Sequence, residues 1–282
     1  FFQPGIQFTA KKILQYSIIL LGFGMNLFEI LAVGSQSLLI IVSTIGTALI
    51  TAYILSRIMN IERDIATLVG VGSSICGGSA IAAAAPVIKA SDKDIAQSIS
   101  VIFLFNVVAA FLFPALGDML GFTDTGFGMW AGTAINDTSS VVAAGQTWAS
   151  AHGSDTALNY ATIVKLTRTL AIIPICLGLA YITSKTKNTA ADVKITSIFP
   201  MFILYFVMAA IFNTLAGESL PVLAQLPSIG KFMIAMAMAA IGLNTNLVSL
   251  VKSGGKPILL GLVCWIFIAL VSIGMQHVLG IW

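Results

Sequence analysis

The chain has 282 residues, of which 58% are hydrophobic and 9% charged, and its mean hydropathy is +1.00. Soluble domains carry about 25% charge, so a water-facing globule is excluded and an integral membrane protein is implied. The net charge of +3 comes without any basic run interleaved with aromatics, so nucleic acid is not an expected partner.

In chain order, apolar segments fall at about 12–31, 37–57, 65–90, 95–117, 127–148, 157–184, 196–216, 229–250 and 257–280. Each is about 20 residues or longer, enough for a helix to span a bilayer, and the alternating strands of a membrane barrel are missing. The expected fold is all-α: a polytopic membrane protein of about nine helices, forming a single domain. The opening "FFQPGIQF" lacks the cationic stretch and cleavage site of a signal peptide, and its abruptness predicts further helices upstream. Cys76, Cys176 and Cys264 all sit inside apolar segments, so no disulfide framework is expected.

Orientation follows from the basic residues of the short connections. Lys11 and Lys12, Arg57 and Arg63, Lys185, Lys187 and Lys194, and Lys252 and Lys256 mark the cytoplasmic ends. The connections near 32–37 and 217–228 hold no Lys or Arg and suit the outer side. Residues 89–124 fit less well, because Lys89 and Lys93 and then Asp118 and Asp124 are better placed if segments 65–90 and 127–148 re-enter. Their length, about that of a full span, favours crossing, and crossing is the expectation adopted. Sliding the chain by about 220 positions sets Lys11 against Lys231, Gly22 against Gly242, Asn26 against Asn246, Leu27 against Leu247 and Gly34 against Gly254. The two copies have opposite orientations, which predicts an inverted-topology repeat of the kind used by secondary transporters.

Three stretches carry polar chemistry into apolar surroundings. In "VGVGSSICGGSAIAAAAPVIKA" the residues Ser73, Ser74, Gly77, Gly78 and Ser79 predict a broken helix, and irregular backbone at that depth must line protein or a water-filled cavity. The half-helix that follows would offer free N–H groups and a partial positive charge to an anion. In "WAGTAINDTSSVVAAG" Thr133, Asn136, Asp137, Thr138, Ser139 and Ser140 crowd one segment, and Asp137 is the clearest intramembrane acid. In "ATIVKLTRTLAIIPI" Lys165 and Arg168 are three apart, on one helix face, and must pair or meet an anionic solute; Asp137 is expected to pair with one of them, leaving a net positive pocket. Close packing of small residues and snorkelling of the cations are the structural alternatives. Asn26, Asn244 and Asn246 follow glycines in the repeat copies and could line the same cavity. Asn106 and Asn213 are read as interhelical glue. His152 and His277 have no metal-ligand spacing, and no P-loop, nucleophile elbow or zinc-protease motif is present, so no enzyme is expected.

At "GSSICGGSAIAAAAPVIKA", "GTAINDTSSVVAAG", "KLTR" and "AMAMAAIGLNTNL" followed by "GGKPILL", the chain resembles the YeiH-like sulfate exporter family over nearly its whole length. The resemblance departs at Asn136-Asp137, where family members place a His-Glu pair; an acid is kept and a histidine is not. The family is grouped with the cation–proton antiporter and bile-acid-transporter-like superfamily. The resemblance implies a panel of helices (about 11–58 and 196–282), a core (about 65–184) whose two broken helices cross near mid-membrane, and alternating access in a bacterial inner membrane.

The expected function is therefore secondary transport of a small inorganic anion, sulfate or sulfite. Substrate would be held by Ser73, Ser74, Gly77, Gly78, Ser79, Thr133, Asn136, Thr138, Ser139, Ser140, Lys165 and Arg168, with Asp137, Asn26, Asn244 and Asn246 serving coupling. No metal or cofactor is expected beyond a coupling proton or sodium ion, and a homodimer is left open. A sodium- or proton-coupled organic-acid carrier and an anion channel are the alternatives.

Overall fold

The computed structural model describes residues 2–187, 201–216, 220–244 and 255–282. Every regular element among them is helical. In chain order the α-helices are α1 (Gln3–Phe8), α2 (Leu14–Gly22), α3 (Leu27–Met59), α4 (Arg63–Ser74), α5 (Gly78–Ile88), α6 (Asp92–Leu120) and α7 (Asp124–Ala134). There follow α8 (Thr138–His152), α9 (Thr156–Thr169), α10 (Ile172–Lys187), α11 (Met201–Ala216), α12 (Leu226–Asn244) and α13 (Gly255–Leu279). Among the described residues, four stretches are long and apolar enough to cross a membrane: α3, α6, α9 with α10, and α13.

The first break falls earlier than the sequence predicts. Gly22 ends α2, and Asn26 starts α3 by accepting the Phe28 N–H on its side chain at 2.8 Å. Residues 32–37, expected as a connection, lie inside the 33-residue α3. A capping asparagine satisfies an orphan N–H of the first turn, whereas "VGSQS" offers nothing that stops a helix. The expected mid-helix position of the Gly22–Asn26 repeat copy is thus corrected to a turn. Its partner, Gly242–Asn246, ends outside the described residues, as do Asn246, Leu247, Lys194, Lys252 and Gly254.

The larger correction concerns segments 65–90 and 127–148. Both are helical hairpins and not crossings. The Trp148 indole N–H donates to the Asp124 carboxylate at 2.7 Å, and its ring stacks on Phe127 at 4.1 Å. Twenty-four residues of continuous helix would separate Trp148 from Asp124 by about 36 Å, so α8 folds back along α7. In the same way the Ile81 side chain comes within 2.9 Å of where a Cβ on Gly72 would stand, folding α5 back on α4. The arms have 12, 11, 11 and 15 residues, or about 17–23 Å, less than the ~30 Å of bilayer hydrocarbon.

Helix α6 ties the two hairpins into one unit. Its N-terminus follows the base of the first hairpin, and Gly117 near its C-terminus lies against Phe127 and Trp148 at the base of the second. The hairpins therefore enter from opposite ends of α6, and their tips meet at its midpoint, Asn106. Helix α9 runs beside α7 at short range, since a Cβ on Gly132 would meet Val164 at 2.7 Å. Pro174, which lacks an N–H and crowds the carbonyl of residue 170, accounts for the interruption at Leu170–Ala171 between α9 and α10. Helix α13 packs on α3, α4, α6 and α7, while α2 packs on α11 and α12.

Candidate functional site

The two hairpin tips are Ile75–Gly77 and Ile135–Asp137. A helix that stops in the core leaves its last carbonyls without partners and carries a partial negative charge there. Here α4 and α7 both stop in this way, facing one another. Lys165 and Arg168, wholly buried on α9, supply the missing donors. The Lys165 ammonium donates to the carbonyls of Ile75 at 2.6 Å, Ile135 at 3.0 Å and Asn136. The Arg168 guanidinium donates to Ser74 at 2.8 Å and Ser73 at 2.7 Å, with a longer contact to Ile135 at 3.5 Å. Their spacing of three places both heads on one face of α9, at the height of the tips. Neither cation snorkels to an end of the bundle.

Asp137 lies beside this cluster without an ion pair to either cation among the described residues, which departs from the expected pairing. It caps α8: its carboxylate accepts the Ser139 N–H at 2.9 Å and the Ser139 hydroxyl. The tips nonetheless touch, for a Cβ on Gly77 would lie 3.5 Å from the Asp137 Cβ. Gly77 has φ +68° and ψ −128°, a conformation open in practice to glycine alone. Gly77 is what allows α4 to turn back as α5.

The expected residues are brought together unevenly. Ser73 is buried with its hydroxyl unpartnered, and the Asn136 side-chain oxygen is likewise unpartnered. The Ser74 hydroxyl bonds back to Val71 within its own helix. Gly78 and Thr138 are half-buried, Ser79 is exposed, and Ser140 is buried on α8. Thr133 turns away, its hydroxyl bonded to Met129 and, at 2.6 Å, to Ser272 of α13. Asn26 is an α3 cap beside Asn213 and Thr214, with no contact to the tips. The side chain of Asn244 and all of Asn246 lie outside the described residues. No group of three metal-ligating side chains occurs among the described residues.

Asn106, read from the sequence as interhelical glue, does make such a link. It accepts the Asp137 N–H at 3.2 Å, and its amide nitrogen has no partner. The available signal was a lone polar residue midway along an apolar segment, which interhelical bonding explains equally well.

Comparison with known proteins gives the family. Residues 1–261 match the family model described as conserved hypothetical protein 698. A UPF0324 membrane protein of Streptococcus mutans is 57% identical over 99% of this chain and 84% of its own length. One of Fusobacterium nucleatum is 55% identical over 99% and 85%, and one of Streptococcus pyogenes is 57% identical over 99% and 84%. No solved structure matches. With a family match over most of its length and several spanning helices, this chain belongs to the conserved hypothetical protein 698 (UPF0324) family of multi-pass membrane proteins.

Proposed function

We propose that the chain is a secondary transporter of a small inorganic anion, sulfate or sulfite, working by alternating access. The observation that carries this reading is the charge at the hairpin tips. The formal charges of Lys165 (+1), Arg168 (+1) and Asp137 (−1) sum to +1, and the other charged residues of α4 to α9 stand near helix ends. A net charge at membrane depth is expensive, so a bound anion is the natural complement. Two hairpins entering from opposite ends give each face of the membrane its own route to the tips, and sliding that unit past the α2, α11 and α12 group would expose the site to one side at a time. Opposed hairpins of this kind suit the inverted-repeat reading.

Orientation follows the charges at the two ends. Lys256 bonds to the Met59 carbonyl at 3.0 Å, which puts it with Arg57, Arg63, Lys89 and Lys93 at the first hairpin's base. Asp118, Asp124 and Asp155 are at the other end. The positive-inside tendency makes the first end cytoplasmic, and export from a bacterial inner membrane is the direction the resemblance implies. Asp137 beside the tips favours, as a second reading, a proton-coupled organic-acid carrier.

Purified protein in liposomes decides between them. Saturable flux of labelled sulfate or sulfite, unaffected by small carboxylates, supports the anion reading. Flux of carboxylates alone overturns it, and unsaturable voltage-driven current would mark a channel.

A further inference from the structure

We propose that a notch around Gly77 holds one small oxyanion together with one proton, and that Asn106, not either buried cation, is the side chain that touches it. This rests on the anion-transporter reading above and names the site's ligands.

The two cations are already engaged. An ammonium has three donors, and Lys165 directs them at three carbonyls. Arg168 makes three contacts to tip carbonyls and is wholly buried. Their charge reaches a solute through the tips, but their heads do not.

The two hairpins differ at their second arms. The N-terminus of α8 is closed by the Asp137 side chain. That of the 11-residue α5 is open: its N-cap is Gly77, which has no side chain to give. The N–H groups of Gly78 and Ser79 precede the first intrahelical bond, from Ile81 N–H to the Gly77 carbonyl, while that of Ala80 is turned to the Cys76 sulfur. Half-buried Gly78 and exposed Ser79 make this end reachable.

Asn106 supplies the second, independent observation. It is 2% exposed, and the Asp137 N–H fixes its oxygen, so its amide nitrogen must be a donor. That donor has no partner and lies 3.4 Å from where a Cβ on Gly77 would stand. Buried amide donors are seldom left unmet. Together with the α5 N–H groups it forms a donor set for oxyanion oxygens.

Opposite this set stands an acceptor. The Asp137 Cβ is 3.5 Å from the same point on Gly77, and one of its carboxylate oxygens is taken by Ser139. A fully ionised oxyanion would meet that carboxylate as a like charge. An oxyanion carrying one O–H, or one arriving with a proton for Asp137, meets a matched donor–acceptor pair. Both forms carry the same cargo, one anion and one proton. The charged groups around the notch are Asp137 beside it and Lys165 and Arg168 behind the tip carbonyls; the buried Cys76 thiol is the other titratable neighbour. The remaining ionisable residues of α4, α6, α7 and α8 stand near the ends of their helices, away from the tips.

Thermal unfolding of the full chain in detergent, with sodium sulfate titrated at about pH 6 and about pH 8, tests this by ligand-linked stabilisation. Sulfate keeps its charge across that range, so any pH dependence belongs to the protein. The expected result is stabilisation of the parent that is stronger at the lower pH. Asn106→Asp, which keeps the acceptor for Asp137 but removes the donor, should weaken apparent affinity at least tenfold. Asp137→Asn, still a good cap, should bind sulfate with the pH dependence flattened. Each variant is compared with its own anion-free midpoint, so a lowered starting stability does not confuse the reading; Asn106→Ala is the second variant should Asn106→Asp fail to fold. Equal sulfate stabilisation of parent, Asn106→Asp and Asn106→Ala overturns the Asn106 site while leaving anion transport standing. Stabilisation independent of pH in the parent overturns the accompanying proton. If neither sulfate nor sulfite stabilises the parent at either pH, the transporter reading itself falls, and this site with it.

Discussion

Replacing Lys165 by Met removes the ammonium while keeping most of the side chain's length. The Ile75, Ile135 and Asn136 carbonyls then lose their close donor inside the protein, and Ile135 keeps only the long 3.5 Å contact from Arg168. A buried carbonyl left unmet costs about 1–3 kcal/mol, or roughly 3–9 kcal/mol for three. Removing a cation from membrane depth returns about 2.5–3.5 kcal/mol. The net loss centres on about 3 kcal/mol, and at about 2–4 °C per kcal/mol the midpoint in detergent should drop by about 6–12 °C. Lys165→Ala should fall similarly and recover in part with methylammonium, which can re-enter the space and bond the same carbonyls. Asp137→Asn separates this account from an ion pair. Asparagine caps as well as aspartate, so the variant should melt near the parent, whereas loss of a buried ion-pair partner would cost about 3–5 kcal/mol. A Lys165→Met protein melting within about 1 °C of the parent, or an Asp137→Asn protein falling as far as Lys165→Met, would refute the bridging role.

Single cysteines at Glu62 and Asp92 should react with an impermeant maleimide from one face of the membrane, and cysteines at Thr123 and Gly153 from the other; two crossing helices would split each pair between faces. Thr133→Val should lower stability by about 1–3 kcal/mol through the orphaned Ser272 hydroxyl and leave the KM for transported anion unchanged, since Thr133 faces α13 and not the tips.

The hairpins show how two sequence signals can disagree. Segments 65–90 and 127–148 have the length of one span, because two half-length arms and a tip add up to a full one. Charge pointed the other way: Lys89 and Lys93 belong with Arg57 and Arg63, and Asp118 and Asp124 belong at the opposite end. The charge signal was the more physical of the two, since an ionised group must end near water wherever its helix runs, whereas an apolar run of given length can fold back if its freed backbone groups find partners. Those partners are Lys165 and Arg168, whose place on one face of α9 was legible from their spacing. What they bind was not, since their acceptors are main-chain carbonyls that leave no mark on a sequence.

The sequence by itself determined the bilayer environment, the helical class, the two interruptions and the polar residues that gather at them. Composition, glycine placement and buried charge act locally, within a turn or two of helix. Only the tertiary structure decided that the interruptions are hairpin tips meeting at the midpoint of α6, that Asp137 caps a helix without pairing to Lys165, and that Asn106 turns a free donor toward Gly77. These depend on which of several chemically equal partners comes within about 3 Å, a distance set by helices packing together from parts of the chain up to about ninety residues apart.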